Sequence, residues 1–175
     1  VHPALAGELV SSGTMRGPPQ RPELIAEARG RRVHIAGATI ESFTADVDAD
    51  LTDARESRLD LTALSVTIGR LQLEEARLQA HGLARDHVAE LEFRALAPEE
   101  DRVPSFRGHL AAAGGYDAAS ATWRGRLEKA SLKFPDDTAS LLQPAAFEFG
   151  PGGASADPVC LATGEARLCV EGEWQ

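Results

Sequence analysis

The chain has 175 residues, 43% apolar and 26% charged, and 18 Lys and Arg stand against 27 Asp and Glu for a formal charge of −9. That length can bury the core of one substantial domain, while so acidic a surface repels phosphate backbones and anionic headgroups and argues against nucleic-acid binding. No run of about 18 apolar residues offers a membrane span and no signal-like leader opens the chain; it starts at Val1 and its one methionine is Met15, so it reads as an excised piece or processed product whose anchor, if any, lies outside it.

Leu5, Gly7 and Leu9 alternate with Ala6 and Glu8 in a strand that runs out near Met15, before Gly17, Pro18, Pro19 and Pro22 punctuate the chain. Glu23 to Arg29 could open a short helix after Pro22. The alternation resumed by Val33 and Ile35 favours a strand instead. From Ile40 to Asp50, Phe43, Ala45, Val47 and Ala49 fall on one side and Thr44, Asp46, Asp48 and Asp50 on the other, the period-two signature of a strand with one dry face.

Ser57 to Ala95 extends that pattern and organises the chain. Leu59, Leu61 and Ala63 oppose Arg58, Asp60 and Thr62, and Ala89, Leu91, Phe93 and Ala95 oppose Glu90, Glu92 and Arg94. The phase slips between Ala63 and Leu64 and again at Glu74 and Glu75, after which Ala76, Leu78 and Ala80 restart it. Each slip predicts a bend, bulge or turn, since a one-residue shift otherwise carries the dry set to the wet side. Ala97 to Pro104 is a loop by composition. Phe106, Gly108 and Leu110 lead to a turn at Gly114 and Gly115; Trp123, Gly125 and Leu127 are followed, after another slip, by Ala130, Leu132 and Phe134. Leu141 and Leu142 suggest one helical turn before Pro144, Ala145, Phe147 and Phe149 resume the alternation, and residues 150–158 suggest a flexible connection. Eleven to thirteen strands with almost no helix define an all-β, mostly antiparallel class, because most connections are too short for crossovers.

The two cysteines bear on compartment. With Gly164 and Glu165 at the centre of a type II′ turn, Thr163 faces Ala166, Ala162 faces Arg167, Leu161 faces Leu168 and Cys160 faces Cys169. The cysteine pair is then a non-hydrogen-bonded one, close enough to bridge. A disulfide there implies an oxidising compartment.

No catalytic arrangement stands out. His2, His34, His81, His87 and His109 lack metal-ligand spacing; Asp46, Asp48 and Asp50 lack the Gly and closing Glu of a calcium loop and read as one solvated face; Glu99, Glu100 and Asp101 are a charged loop. Trp123 and Trp174 read as strand anchors. The expectation is a non-enzyme with no cofactor and no metal.

Four stretches carry a family likeness: Leu5-Ala-Gly-Glu-Leu with Gly13, Gly17 and Pro22; Leu59-Asp-Leu-Thr-Ala with Gly82, His87 and Leu91-Glu-Phe; Gly108-His-Leu with Gly114-Gly115 and Trp123-Arg-Gly-Arg-Leu; and Pro158-Val-Cys-Leu through Leu168-Cys-Val-Glu-Gly-Glu-Trp174. Together they resemble the TamB family of the translocation and assembly module, within the AsmA-like group of bridge-shaped envelope proteins. The resemblance implies an internal segment of a longer bridge, forming a single β-domain over 1–175. Such a bridge is anchored in the inner membrane of a Gram-negative bacterium and crosses the periplasm as a curled sheet, a β-taco with an open groove. It implies phospholipid acyl chains as cargo, transport between inner and outer membranes, support for outer-membrane protein assembly and a TamA-like barrel partner.

On that basis the groove lining is Leu59, Leu61, Leu71, Leu73, Leu78, Leu91, Phe93, Phe106, Leu110, Leu127, Leu132 and Phe147, with the small residues Gly7, Ala26, Ala45, Ala63, Gly108, Ala112 and Gly125 leaving room for tails. The same alternation also suits a closed β-sandwich whose two dry faces fill each other, and with it a non-catalytic module recognising a protein or glycan.

Overall fold

A computed structural model describes residues 6–18, 22–35, 37–52, 54–96 and 104–174, with backbone alone for 172–174. His2, the strand start at Leu5, the loop at 97–103 with its acids, and the Trp174 side chain lie outside the described residues. Twelve strands follow one another: β1 (Ala6–Arg16), β2 (Glu23–Ile35), β3 (Ala38–Asp50), β4 (Ser57–Ile68), β5 (Leu71–Leu83), β6 (Asp86–Leu96), β7 (Phe106–Asp117), β8 (Thr122–Lys133), β9 (Thr138–Leu141), β10 (Ala145–Gly150), β11 (Gly153–Thr163) and β12 (Ala166–Trp174). All belong to one curled antiparallel sheet in which β1 to β8 pair strictly in sequence, followed by β10, β11 and β12. The described residues contain no helix, and Glu23 to Arg29 is strand, as the alternation indicates.

Three local expectations are corrected. Gly114 and Gly115 make no turn but lie within β7, which runs on to Asp117. Leu141 ends β9 and Leu142 turns away without a helix, its N–H donating to the Cys160 carbonyl at 2.9 Å. The pair β9 and β10 fills a single place in the sheet: both run antiparallel to β8 and to β11, interrupted between them at Pro144, which has no N–H to give the ladder. The expected connection over 150–158 is only a two-residue turn, and β11 begins at Gly153. Small residues suit an interior place in the ladder, where backbone hydrogen bonds to β10 and β12 hold the chain.

Bulges give the sheet its bend. Along β2 the dry set advances from Gly30 to Val33, along β3 from Phe43 to Ile40, along β4 from Ala63 to Val66 and along β5 from Ala76 to Leu73. Each step covers three positions in place of two, and the four lie side by side in register. Val33, Ala63 and Val66 are buried, and Arg32 and Ser65 take positive φ of 49° and 51° to absorb the extra residue. The line of doubled residues ends at register shifts against β1 on one side and β6 on the other. The first slip therefore centres on Ser65, one residue later than expected, and Leu64 is exposed on the wet side. A third bulge on β8 opposite Ala111 and Ala112 produces the step from Leu127 to Ala130.

A compact globule of 18.6 kDa exposes about 8,200 Å², whereas this chain exposes 12099 Å². The buried apolar residues are Val33, Ala63, Val66, Ala84, Ala95, Ala130, Ala139, Ala145 and Cys160. No Leu or Phe is among them, so the small residues are covered by taller neighbours whose own tips remain half open. A second layer would bury those tips first.

Asp50 is a further correction. It is 1% exposed and does not share the solvated face of Asp46 and Asp48. Its carboxylate accepts the N–H of Thr52 at 2.7 Å, the Thr52 hydroxyl at 2.5 Å and the N–H of Arg55 at 3.0 Å, tying the turn between β3 and β4. The Thr52 hydroxyl foremost, then the two N–H groups, hold this carboxyl below the ordinary carboxylate range. A depressed pKa contributes stability above the unfolded value near 3.9 that is lost as pH falls through the folded value. Thermal unfolding followed against pH should therefore show Asp50→Asn well below wild type at neutral pH, and the gap should close below about pH 4.

The hairpin of β11 and β12 has the expected register throughout, Thr163 with Ala166 through to Cys160 with Cys169, and Gly164 sits at φ 53°. The cysteines form a disulfide with Cα atoms 4.1 Å apart. Closing so short a loop stabilises by about 2.5 to 3 kcal/mol. Replacing both cysteines by Ser should speed amide exchange in β11 and β12 selectively, and intact protein should resist alkylation until reduced.

Candidate functional site

Cross-strand partners point to the same side of a sheet, so the register assembles the dry face row by row. One row runs Val47, Leu59, Ala80, Ala89, Ala112, Leu127, Ala145. The next runs Ala28, Ala45, Leu61, Leu78, Leu91, Leu110, Ala130. A third holds Gly30, Phe43, Ala63, Ala76, Phe93, Gly108 and Leu132, and a fourth, beyond the line of bulges, Val33, Ile40, Val66, Leu73, Ala95 and Phe106. Phe147 lies level with Gly125, Gly114 and His87. All twelve residues expected to line a groove thus share one face. Leu71 sits apart from the others, 39% exposed at the start of β5 beside the β4–β5 turn.

Glycines shape that face by letting rings lie flat. A Cβ on Gly30 would come within 2.2 Å of the Phe43 ring, one on Gly108 within 2.1 Å of Phe93, and one on Gly125 within 2.2 Å of the Trp123 indole. Each ring therefore occupies the space above a bare backbone and covers it. Phe106 packs edge-on against Phe93 at 6.1 Å and lies tilted against Phe134 at 5.2 Å, so a second aromatic group occupies the opposite end of the strands from Trp123.

The sequence reading gave Trp123 and His87 only ordinary structural roles, and their partnership escaped it. The indole stacks on Phe147 and Phe149 with centroids 4.7 and 5.1 Å away, and its N–H donates to His87 Nε2 at 2.6 Å. Because indole can only donate, Nε2 must be the bare nitrogen. The proton then sits on Nδ1, which faces the Ala84 carbonyl at 3.1 Å and the Leu83 carbonyl at 3.3 Å. The signal available was the dry phase shared by Trp123, Phe147 and Phe149; the histidine, 36 residues from the tryptophan, carried none.

The wet face is a mesh of ion pairs. Arg58 pairs with Asp60, Arg77 with Glu75 at 2.9 Å, Arg94 with Glu74 at 3.0 Å and Arg124 with Glu148 at 2.8 Å. Arg58 first, then Gln79, hold the Asp60 carboxyl below its ordinary range. The disulfide lies on this face too, with the Arg167 guanidinium over both sulfurs at 3.2 and 3.3 Å. Among the described residues no three His, Cys, Asp or Glu cluster as a metal site, and no helix is long and apolar enough to cross a membrane.

The arrangement can shelter hydrocarbon on one side and meet water on the other. No solved structure matches the chain. A family model described as "TamB, N-terminal domain" matches residues 1–175. The chain belongs to the TamB family, which places it among envelope proteins that serve envelope biogenesis alongside an outer-membrane partner.

Proposed function

We propose that the dry face is a non-enzymatic conduit for phospholipid acyl chains between the two membranes, and that the chain acts as a periplasmic segment of a bridge that also supports outer-membrane protein assembly. The observation that carries this is the half-open state of the large side chains. Leu61, Leu78, Leu91 and Leu110 stand next to one another across four strands, and none is buried.

A tail of about fifteen methylenes costs on the order of 12 kcal/mol to expose to water, at about 0.8 per methylene. A carrier must keep it dry at every step, and successive strands about 4.8 Å apart supply a continuous dry path in which no single site binds tightly enough to trap it. The net charge of −9 discourages non-specific adsorption to anionic surfaces along the way.

Leu61→Arg or Leu91→Arg should leave the protein folded, since a long cation on a half-open face reaches water, yet abolish lipid transfer and strip co-purified phospholipid from the mass spectrum. Normal transfer by folded variants would count against the conduit. Gly108→Ala tests its depth. The new methyl meets only the far end of the Phe93 ring, which can swing away as a rigid unit about the side-chain torsions, so the fold should survive while the ring tips into the proposed conduit. Lipid recovered per chain should fall, whereas Gly152→Ala, with open space around its Cβ position, should leave it unchanged.

A further inference from the structure

A second arrangement lies on the wet face, on the far side of the sheet from the proposed conduit. Arg94 is directly opposite Arg107, and Arg107 directly opposite Lys133, so three cations occupy one row on β6, β7 and β8. Like charges placed so are mutually destabilising. This occurs in a chain with a formal charge of −9. Elsewhere Arg32, Arg58, Arg77, Arg124 and Arg126 each have a carboxylate partner while Arg16, Arg29, Arg31 and Arg167 have none among the described residues, and Arg94 itself has Glu74 at 3.0 Å; what sets this row apart is that its cations stand directly opposite one another. Arg107 and Lys133 have no ion pair among the described residues.

Two strand positions along, His109 is directly opposite Ser131. Arg107 and His109 on β7 and Lys133 and Ser131 on β8 therefore form a square of four outward side chains, about 5 Å across the strands and about 6.6 Å along them. They border a hollow of about 480 Å³ whose described carboxylates are Glu75, engaged with Arg77, and Glu92, which stands cross-strand between Arg77 and His109, one row away from the three cations. Each corner can donate: a guanidinium fork, an ammonium, an imidazole N–H and a hydroxyl. A planar carboxylate would satisfy the fork and leave the other corners idle. A tetrahedral oxyanion presents oxygens to all of them and supplies the charge that the cation row lacks.

We propose that this square binds a phosphate-type oxyanion, either the free ion or the phosphate of a headgroup reaching the wet face. The site stands independently of the conduit.

The test is NMR titration of the chain with sodium phosphate at constant ionic strength. Parallel arms use glycerol 3-phosphate and dihexanoyl-phosphatidylglycerol below its micelle concentration. Saturable shifts are expected at Arg107, His109, Ser131 and Lys133. The double variant Arg107→Gln/Lys133→Gln should weaken binding at least tenfold, and Arg58→Gln, elsewhere on the same face, should not. Competition between the phosphate esters and phosphate assigns the site to a headgroup; binding of inorganic phosphate alone assigns it to the free ion. Absence of saturation in every arm, equal shifts with chloride at the same ionic strength, or undiminished binding by the double variant overturns the proposal. So does a double variant that melts below wild type in phosphate-free buffer, because the two cations would then be held by a carboxylate of the protein.

Discussion

Everything in this structure depends on a sheet that has only one layer. In most β-proteins a strand is held twice, by its ladder and by a second layer pressed on its dry face. Here the ladder and the contacts between adjacent side chains carry the cohesion. That explains why the buried apolar residues, the disulfide's Cys160 aside, are alanines and valines: a small side chain can be enclosed by its neighbours on the same face, but a leucine cannot. It also explains why glycines and rings are matched. Where the backbone is bare, a phenyl or indole lying flat supplies the cover that a second sheet would otherwise give.

One layer still has to bend if its dry face is to be sheltered. The line of doubled residues through β2, β3, β4 and β5 is where this sequence makes the bend, and its position is a compromise. An extra residue on one strand alone sets two residues against one and breaks the ladder at that point. Placed in register on four neighbours, it keeps the four faces consistent and confines the mismatch to the junctions with β1 and β6, where the register shifts. Arg32 and Ser65 bear the unfavourable backbone angles of that line, and both are exposed. The strain is thus stored where no packing has to be disturbed to hold it.

Period-two alternation made the strands, their antiparallel class and the phase slips legible, because most neighbouring strands here are neighbours in sequence and each hairpin is a local event. The cysteine hairpin is the clearest instance: Gly164 fixes the turn, the turn fixes the register, and the register brings Cys160 to Cys169. Asp50 was misread because its place in the alternation is that of a solvated strand residue, and only the return of the chain over Thr52 and Arg55 buries it. The break between β9 and β10 was taken for a helical turn because two adjacent leucines before a proline leave the period undefined. Arg94, Arg107 and Lys133 each read as an ordinary wet-face residue in its own strand. Their alignment is a property of the register across β6, β7 and β8 and of no single stretch.

A one-layer sheet has a further property that a sandwich lacks. A sandwich must match the volumes of two facing sets of side chains, so a strand added to one sheet demands a response from the other. In a single curled sheet each new strand needs only to pair with the last and repeat its alternation, and the cross-section of the sheltered side stays the same. Such a fold can grow along the direction of its hydrogen bonds by about 4.8 Å per strand without redesign, which suits a path whose length is set by the distance it must cover. The disulfide fits the same economy: it ties β12 to β11 covalently on the wet face, away from the dry rows, so neighbouring strands are fastened while the dry face stays clear.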